Sequence, residues 1–594
     1  MTGAGASLVG SERLHAQSVP AEVFDSHVHF FNGSDLSIAR FFQVVVLRNY
    51  EDEYASTPAG QADCKPPIRF GRGVGVWLRR VSDRLAPTAR EELAVLGALS
   101  DDGSDAAPHE LVESEPARRE RASVWKFTTA SDDELEELYR EALADVLREI
   151  RNEHRRASET QQEAVPDEAL ADPDPDGFGA LLDGIDDELG LDVRDRFDQV
   201  QEFLAIDARN KIDQLIARSQ RRRAPITSIG AILDWAFLLT LPRDRIIKRY
   251  IRLYGDAGVT GAATYLVDYA KWLQEPPAEG SDFDAQLDVM GALRGRYHDQ
   301  LDIRICAPFD PLGQAFDEAA AGQELNRLSD SGVDPRLEAS PFGRLQIYLA
   351  NSGLHGVKLY PPMGFRPYGN SSIPQDRMPT PVLNEWRGVG QSVQSLGSRL
   401  DSVMRRFLEW AAENEVPVVT HAGNSVDAGC GFAERGHVDE WIRVLAASHV
   451  DETGVTRSGL GLSNLKLNLG HFGDMRAFMT SGPESASWAW SKGPLLHDYP
   501  NVYADLSFME EFIRTPWFGL GRIRRFFSRL RVFAARYDPN MEKLMLGTDW
   551  VMLGQLRRHD RYLERAIDGM DSAGYSQAEI DNLCFRNARR FFSL

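Results

Sequence analysis

Residues 23 to 31 read VFDSHVHFF, an apolar run resembling a buried strand that nevertheless carries two histidines one residue apart. Side chains alternate faces along a strand, so His27 and His29 point one way while Ser26 and Val28 point the other. Two imidazoles converge, and imidazole nitrogens suit Zn²⁺ or a similar divalent ion. More ligand-type residues stand at the ends of apolar runs far down the chain: Lys358 in HGVKLYPP, His421 in VPVVTHAG, His471 in LKLNLGHFG and Asp549 in KLMLGTDW. A single His ending a strand is more often a hydrogen-bonded structural residue. Several strands ending in His or Asp would all have to place such groups on one rim by accident.

The runs that carry these residues form a regular series. GAATYLVDYA (261–270), DIRICAPFDP (302–311), HGVKLYPP (355–362), VPVVTHAG (416–423), LKLNLGHFG (465–473), NVYADLSF (501–508) and KLMLGTDW (543–550) are separated by helical segments, and the opening VFDSHVHFF makes eight. Short β-type runs alternating with helices predict an α/β chain with parallel strands. Eight of them describe a (β/α)8 TIM-like barrel better than an open doubly wound sheet, and barrel active sites lie at the C-terminal ends of the strands.

The organisation expected is a flexible leader at 1–20, the first strand and its loop at 21–48, a large, mainly helical, acidic insertion at 49–223, and the rest of the barrel at 224–594. Within the insertion one amphipathic helix starts at Ser131, with a capping box through Glu134, and a second runs from about Val193 to Ser219. The acidic, proline-rich VPDEALADPDPDGFG between them is a linker. An amphipathic pair in mid-chain packs on its host as a lid or cap, or serves as a surface for homo-oligomer formation.

The 594 residues carry a formal charge of −22, which argues against nucleic acid or an anionic membrane as partner. A small-molecule substrate is expected instead. Cys64, Cys306, Cys430 and Cys584 lie far apart without a C-x-x-C, so neither a disulfide framework nor a thiolate zinc site is indicated. The N-terminal residues lack a signal-peptide pattern, and AILDWAFLLTLP is too short to span a bilayer. These features predict a soluble, cytoplasmic protein.

Taken jointly, FDSHVH, THAG, LGHFG, LGTDW and the closing NLCFRNARRFF resemble the amidohydrolase superfamily of metal-dependent hydrolases, in its amidohydrolase-related (amidohydrolase 2) branch, which also contains non-oxidative decarboxylases. The resemblance covers the opening strand and most of 240–594. It implies that His27, His29, His421 and Asp549 hold a divalent metal, zinc in first place with manganese or iron as alternatives. His471 matches a second-metal ligand or a proton donor. An ammonium ion cannot ligate a cation, but a carboxylated Lys358 would bridge two ions, so the resemblance leaves one or two ions open. It implies cleavage of an amide, ester or lactone bond by metal-activated water, with Asp549 and His471 as the catalytic residues and Asp549 carrying the proton. Decarboxylation at one metal is the alternative, and a non-catalytic scaffold or sensor barrel is a third reading. Arg366, Tyr368 and Asn370 in the loop after Lys358, with Tyr360, Asn424 and Trp550, are candidates to bind a small polar or anionic substrate. Asp25 and Asp474 are candidates to orient the imidazoles, or else face solvent.

Overall fold

Each of the eight runs forms a strand, short and almost wholly buried. They are β1 (Val23–Val28), β2 (Val259–Tyr265), β3 (Asp302–Pro308), β4 (Gly356–Leu359), β5 (Val418–His421), β6 (Leu467–Gly470), β7 (Val502–Asp505) and β8 (Leu544–Met545). Strands covered on both faces read as near-continuous apolar runs, which explains their sequences. The computed structural model describes residues 20, 22–41, 86–100, 235 and 238–594, apart from 352, 424–430, 451–453, 486, 515–518 and 557. The leader, both amphipathic helices predicted in the insertion, and Asn424 lie outside the described residues.

The strands pair in parallel in chain order from β1 to β8. The ring is closed by a parallel bridge between Val28 and Trp550 and by backbone bonds from Ser26 to Leu546 and from Asp549 to His27. Helices surround it, among them α1 (Ala89–Ser100), α2 (Arg243–Tyr254), α3 (Phe283–Tyr297), α4 (Pro311–Ala321), α5 (Ser395–Glu413), α6 (Trp488–Asp498), α7 (Gly519–Tyr537) and α8 (Tyr562–Ser572). This is a (β/α)8 barrel. Local chemistry sets several starts: the Asp282 carboxylate accepts the Ala285 N–H at the head of α3, and Asp310 with Pro311 opens α4. No helix among the described residues is long and apolar enough to cross a membrane.

Phe24, Tyr265, Val419, Tyr503 and Met545 form a cluster with Phe591 and Phe592 of the terminal NLCFRNARRFF helix. The Phe591 ring lies 5.2 Å from Tyr503, and Phe592 lies 6.0 Å from Phe24. Phe24 and Tyr503 stand near the starts of their strands, so this helix plugs the N-terminal end of the barrel. Chemistry is left to the opposite rim.

Helix α1 falls inside the segment read as insertion, and it is tied to the barrel by a buried charge cluster. The Arg243 guanidinium bonds to both Asp35 oxygens and to Glu92 of α1, all three side chains being fully or almost fully buried. Asn32 joins them, donating to Pro87 O, Leu241 O and Glu92. Three stretches remote in sequence thus meet behind the loop that follows His29.

Candidate metal centre

Side chains at or just beyond the ends of β1, β4, β5, β6, β7 and β8 converge. His27 is wholly buried on β1, its Nδ1 3.0 Å from Asp505 Oδ2 and its Nε2 3.1 Å from the Lys358 ammonium. Room for it depends on Gly547, where a Cβ would stand 2.8 Å from the His27 Cβ. The glycine of LGTDW therefore serves close approach of two strands. Likewise a Cβ on Gly423 of THAG would lie 2.7 Å from the His471 Cβ.

His29 follows β1 and turns its Nδ1 to Tyr265 O at 2.8 Å. A carbonyl only accepts, so Nδ1 carries a hydrogen and Nε2 is the ring nitrogen turned to the site. That nitrogen lies 3.3 Å from Asp549 Oδ1, a buried oxygen with no hydrogen-bond partner. His27 Nε2 is 3.7 Å from the same oxygen. Nitrogen and carboxylate oxygen face each other in a dry site, an arrangement that costs free energy unless a proton or a metal ion sits between them.

His471 and Asp549 complete the cluster, both just beyond strand ends and both with left-handed backbone, φ 62° and 61°. Non-glycine residues adopt that conformation at a cost of order 1 kcal/mol or more, which the surrounding contacts must offset. One ligand-type atom from each of His27, His471 and Asp549 lies within 4.8 Å of the others. The His421 ring stands 4.4 Å from that of His471 and 4.6 Å from Tyr360. The donor set, neutral imidazoles and one carboxylate oxygen lacking a partner, fits a divalent ion.

The electrostatics agree. Burial, helped by the Lys358 charge and opposed by Asp505, lowers His27 to about 3. Burial and the neighbouring cations hold His421 well below the ordinary histidine value, and His471 is lowered too, chiefly by burial. All three are neutral at pH 7, as ligands must be. Burial alone would raise Asp549, but His29, His471 and His27 outweigh it and hold the carboxyl below the usual range. Burial lowers Lys358 to about 8 against the pull of Asp505 and Asp549.

The loop candidates divide. Tyr360 lines a narrow cleft beside Lys358, with Asp268, Tyr269 and Trp272. Asn370, in contrast, is fully buried and bonds through both amide atoms to the Arg366 backbone and Asp401, so its side chain is consumed in shaping the loop. Arg366 is engaged with Ser372 and Glu440, and Tyr368 packs against the core. Trp550 is also turned away: its buried indole packs on Tyr254, Tyr250 and His559 outside the strand ring. Side chains alternate at the strand end, and Asp549 takes the inward face. Asp25 accepts from Thr548, Tyr250 and the His27 backbone, and burial raises its pKa to about 7; it joins β1 to β8 and orients no imidazole. Asp474 caps a short helix at Ala477.

Sequence reasoning missed Asp505, Ser507 and Lys492. Asp505 ends β7 as the other site residues end theirs, so the strand-end rule applied to NVYADLSF would have found it. Burial would raise its carboxyl, yet His27, His471 and Ser507 hold it well below the carboxylate range. Lys492 on α6 is wholly buried, and its ammonium donates to Ala422 O at 2.6 Å and, more weakly, to Phe472 O at 3.4 Å. These carbonyls belong to the residues after His421 and His471.

Burial lowers Lys492 to about 7. Between there and the ordinary lysine value the unfolded chain holds a proton that the native state has released, so this group makes stability rise with pH across that window. The urea stability of wild type relative to Lys492→Met is expected to increase from pH 7 to pH 9.5, by about 1.4 kcal/mol per pKa unit crossed. A pH-independent difference would show that the buried amine does not titrate.

The parallel barrel thus carries at its C-terminal rim a histidine and aspartate cluster that could hold a metal ion. Residues 333–594 match the amidohydrolase family model. No curated protein matches the chain. Among solved structures, a zinc-bound amidohydrolase from Burkholderia multivorans is 14% identical, with a TM-score of 0.32 over 58% of this chain and 88% of that one. The 5-carboxyvanillate decarboxylase LigW from Sphingomonas paucimobilis is 12% identical, with a TM-score of 0.25 over 58% of this chain and 82% of that one.

Proposed function

We propose that the protein is a metal-dependent hydrolase cleaving an amide, ester or lactone bond of a small polar substrate. The observation that carries this reading is the convergence of His27, His471 and Asp549, with His29 Nε2 3.3 Å from Asp549 Oδ1. His27, His29, His471 and Asp549, with His421 adjoining, would hold the ion. A divalent ion there supplies Lewis acidity toward water and a scissile carbonyl.

The chain's own groups do the rest. Asp549 is ionised and buried, so its carboxylate is the base that takes a proton from the attacking water and returns it to the leaving group. His471, half-buried at the rim, is among the groups that would hold the ion, its Nδ1 being directed at Ser507. Lys358 bears on the number of ions: its pKa of about 8 leaves part of it as free amine at neutral pH, the form that adds CO₂ with loss of a proton to become an anionic oxygen ligand.

The test is metal analysis of full-length protein after incubation with zinc, with and without bicarbonate. One ion per chain is expected without bicarbonate, and a second appearing with it marks a carboxylated Lys358. Protein that binds none in either condition refutes the reading. A panel of amides, lactones and aryl carboxylates then separates hydrolysis from decarboxylation, CO₂ release from the last group overturning the hydrolytic assignment.

A further inference from the structure

Asp505 meets two of the candidate ligands at once. Its Oδ2 is 3.0 Å from His27 Nδ1 and 2.7 Å from Asn468 Nδ2. Its Oδ1 accepts the Ser507 hydroxyl and the backbone N–H groups of His471 and Ser507. The Ser507 oxygen in turn lies 2.9 Å from His471 Nδ1, and 3.3 Å from His27 Nδ1. Asp505 and Asn468 are wholly buried, and Ser507 is 1% exposed.

Hydrogen-bond arithmetic leaves one consistent arrangement. An ionised carboxylate has no hydrogen to give, so His27 must donate from Nδ1. The Lys358 ammonium, which only donates, independently requires the lone pair at His27 Nε2. Ser507 has a single hydrogen and spends it on Asp505, so toward His471 it is an acceptor, and His471 must also donate from Nδ1. We infer that Asp505 and Ser507 form a positioning pair that sets the tautomers of two rings, His27 directly and His471 through the serine hydroxyl. His27 then turns a lone-pair Nε2 toward Asp549, 3.7 Å from Oδ1, and His471 keeps its own lone pair on Nε2. The inference rests on the metal-centre reading for its purpose, though not for its test.

The test is imidazole ¹⁵N NMR of histidine-labelled, metal-free full-length protein, with His27→Gln and His471→Gln used to assign the two rings. Both are expected as single Nδ1–H tautomers in wild type. In Ser507→Ala the His471 signals should move toward the averaged position of a free ring while those of His27 stay, a selectivity that a general loosening would not produce. The cobalt dissociation constant of this variant should rise about 10- to 100-fold. An Nε2–H or averaged His471 in wild type, or His471 signals unmoved in Ser507→Ala, overturns the inference. If that variant fails to fold, the wild-type tautomers decide. Zinc binding with the wrong tautomers would sink this pair and spare the proposed function; correct tautomers without zinc binding would do the reverse.

Discussion

Asp549→Asn is expected to lower turnover about 10²- to 10⁴-fold on any substrate the panel returns, while leaving the metal-free protein at least as stable as wild type. The two effects have one origin. In wild type, Asp549 Oδ1 is buried without a hydrogen-bond partner and faces His29 Nε2 at 3.3 Å. An amide in that place removes a desolvated charge and can donate through Nδ2 to His29, a hydrogen bond of about 1 kcal/mol. The same amide has no basic oxygen to carry a proton and is a poor partner for a divalent ion. Steady-state kinetics, zinc titration and urea unfolding of the metal-free variant check the three parts. Undiminished turnover would remove Asp549 from proton transfer, and a metal-free variant less stable than wild type by more than about 1 kcal/mol would make the carboxylate a structural acceptor.

Arg243→Met is expected to cost about 3–5 kcal/mol near pH 8, because it strands Asp35 and Glu92 in the interior. Even with the guanidinium in place, burial raises both carboxyls, Glu92 to about 7. Without the cation they rise further and take up protons. A carboxyl whose folded pKa exceeds its unfolded one contributes stability below the unfolded value and loses it as pH climbs through the folded value. The penalty should therefore shrink between pH 8 and pH 5.5. Urea unfolding at the two pH values checks this; a loss below about 1 kcal/mol at pH 8 would show that the cluster does not hold α1 to the barrel.

How much of this was legible without coordinates depended on the range of the interaction. The eight strands were readable because an apolar run and its helical spacer are local patterns. Their closure into a ring follows from the number of strands and the parallel order. His27 and His29 were readable as a pair by strand alternation, and His471 and Asp549 by their place at strand ends. Trp550 and Asn370 were misjudged for a related reason. Proximity in sequence to a site residue says nothing about which side of the backbone an indole takes, or whether an amide is already committed to its own loop.

By itself the chain's order of residues determined the barrel and the chemical kinds of group on its rim, since those follow from periodicity and from where each apolar run stops. Only the tertiary structure decided which nitrogen of His27 and of His471 carries the hydrogen, that Asp505 sets it, and that Arg243 and Lys492 are buried where they are. A tautomer is chosen by a hydrogen-bond partner, and the partner of His27 lies 478 residues away. No local pattern encodes a distance of that kind.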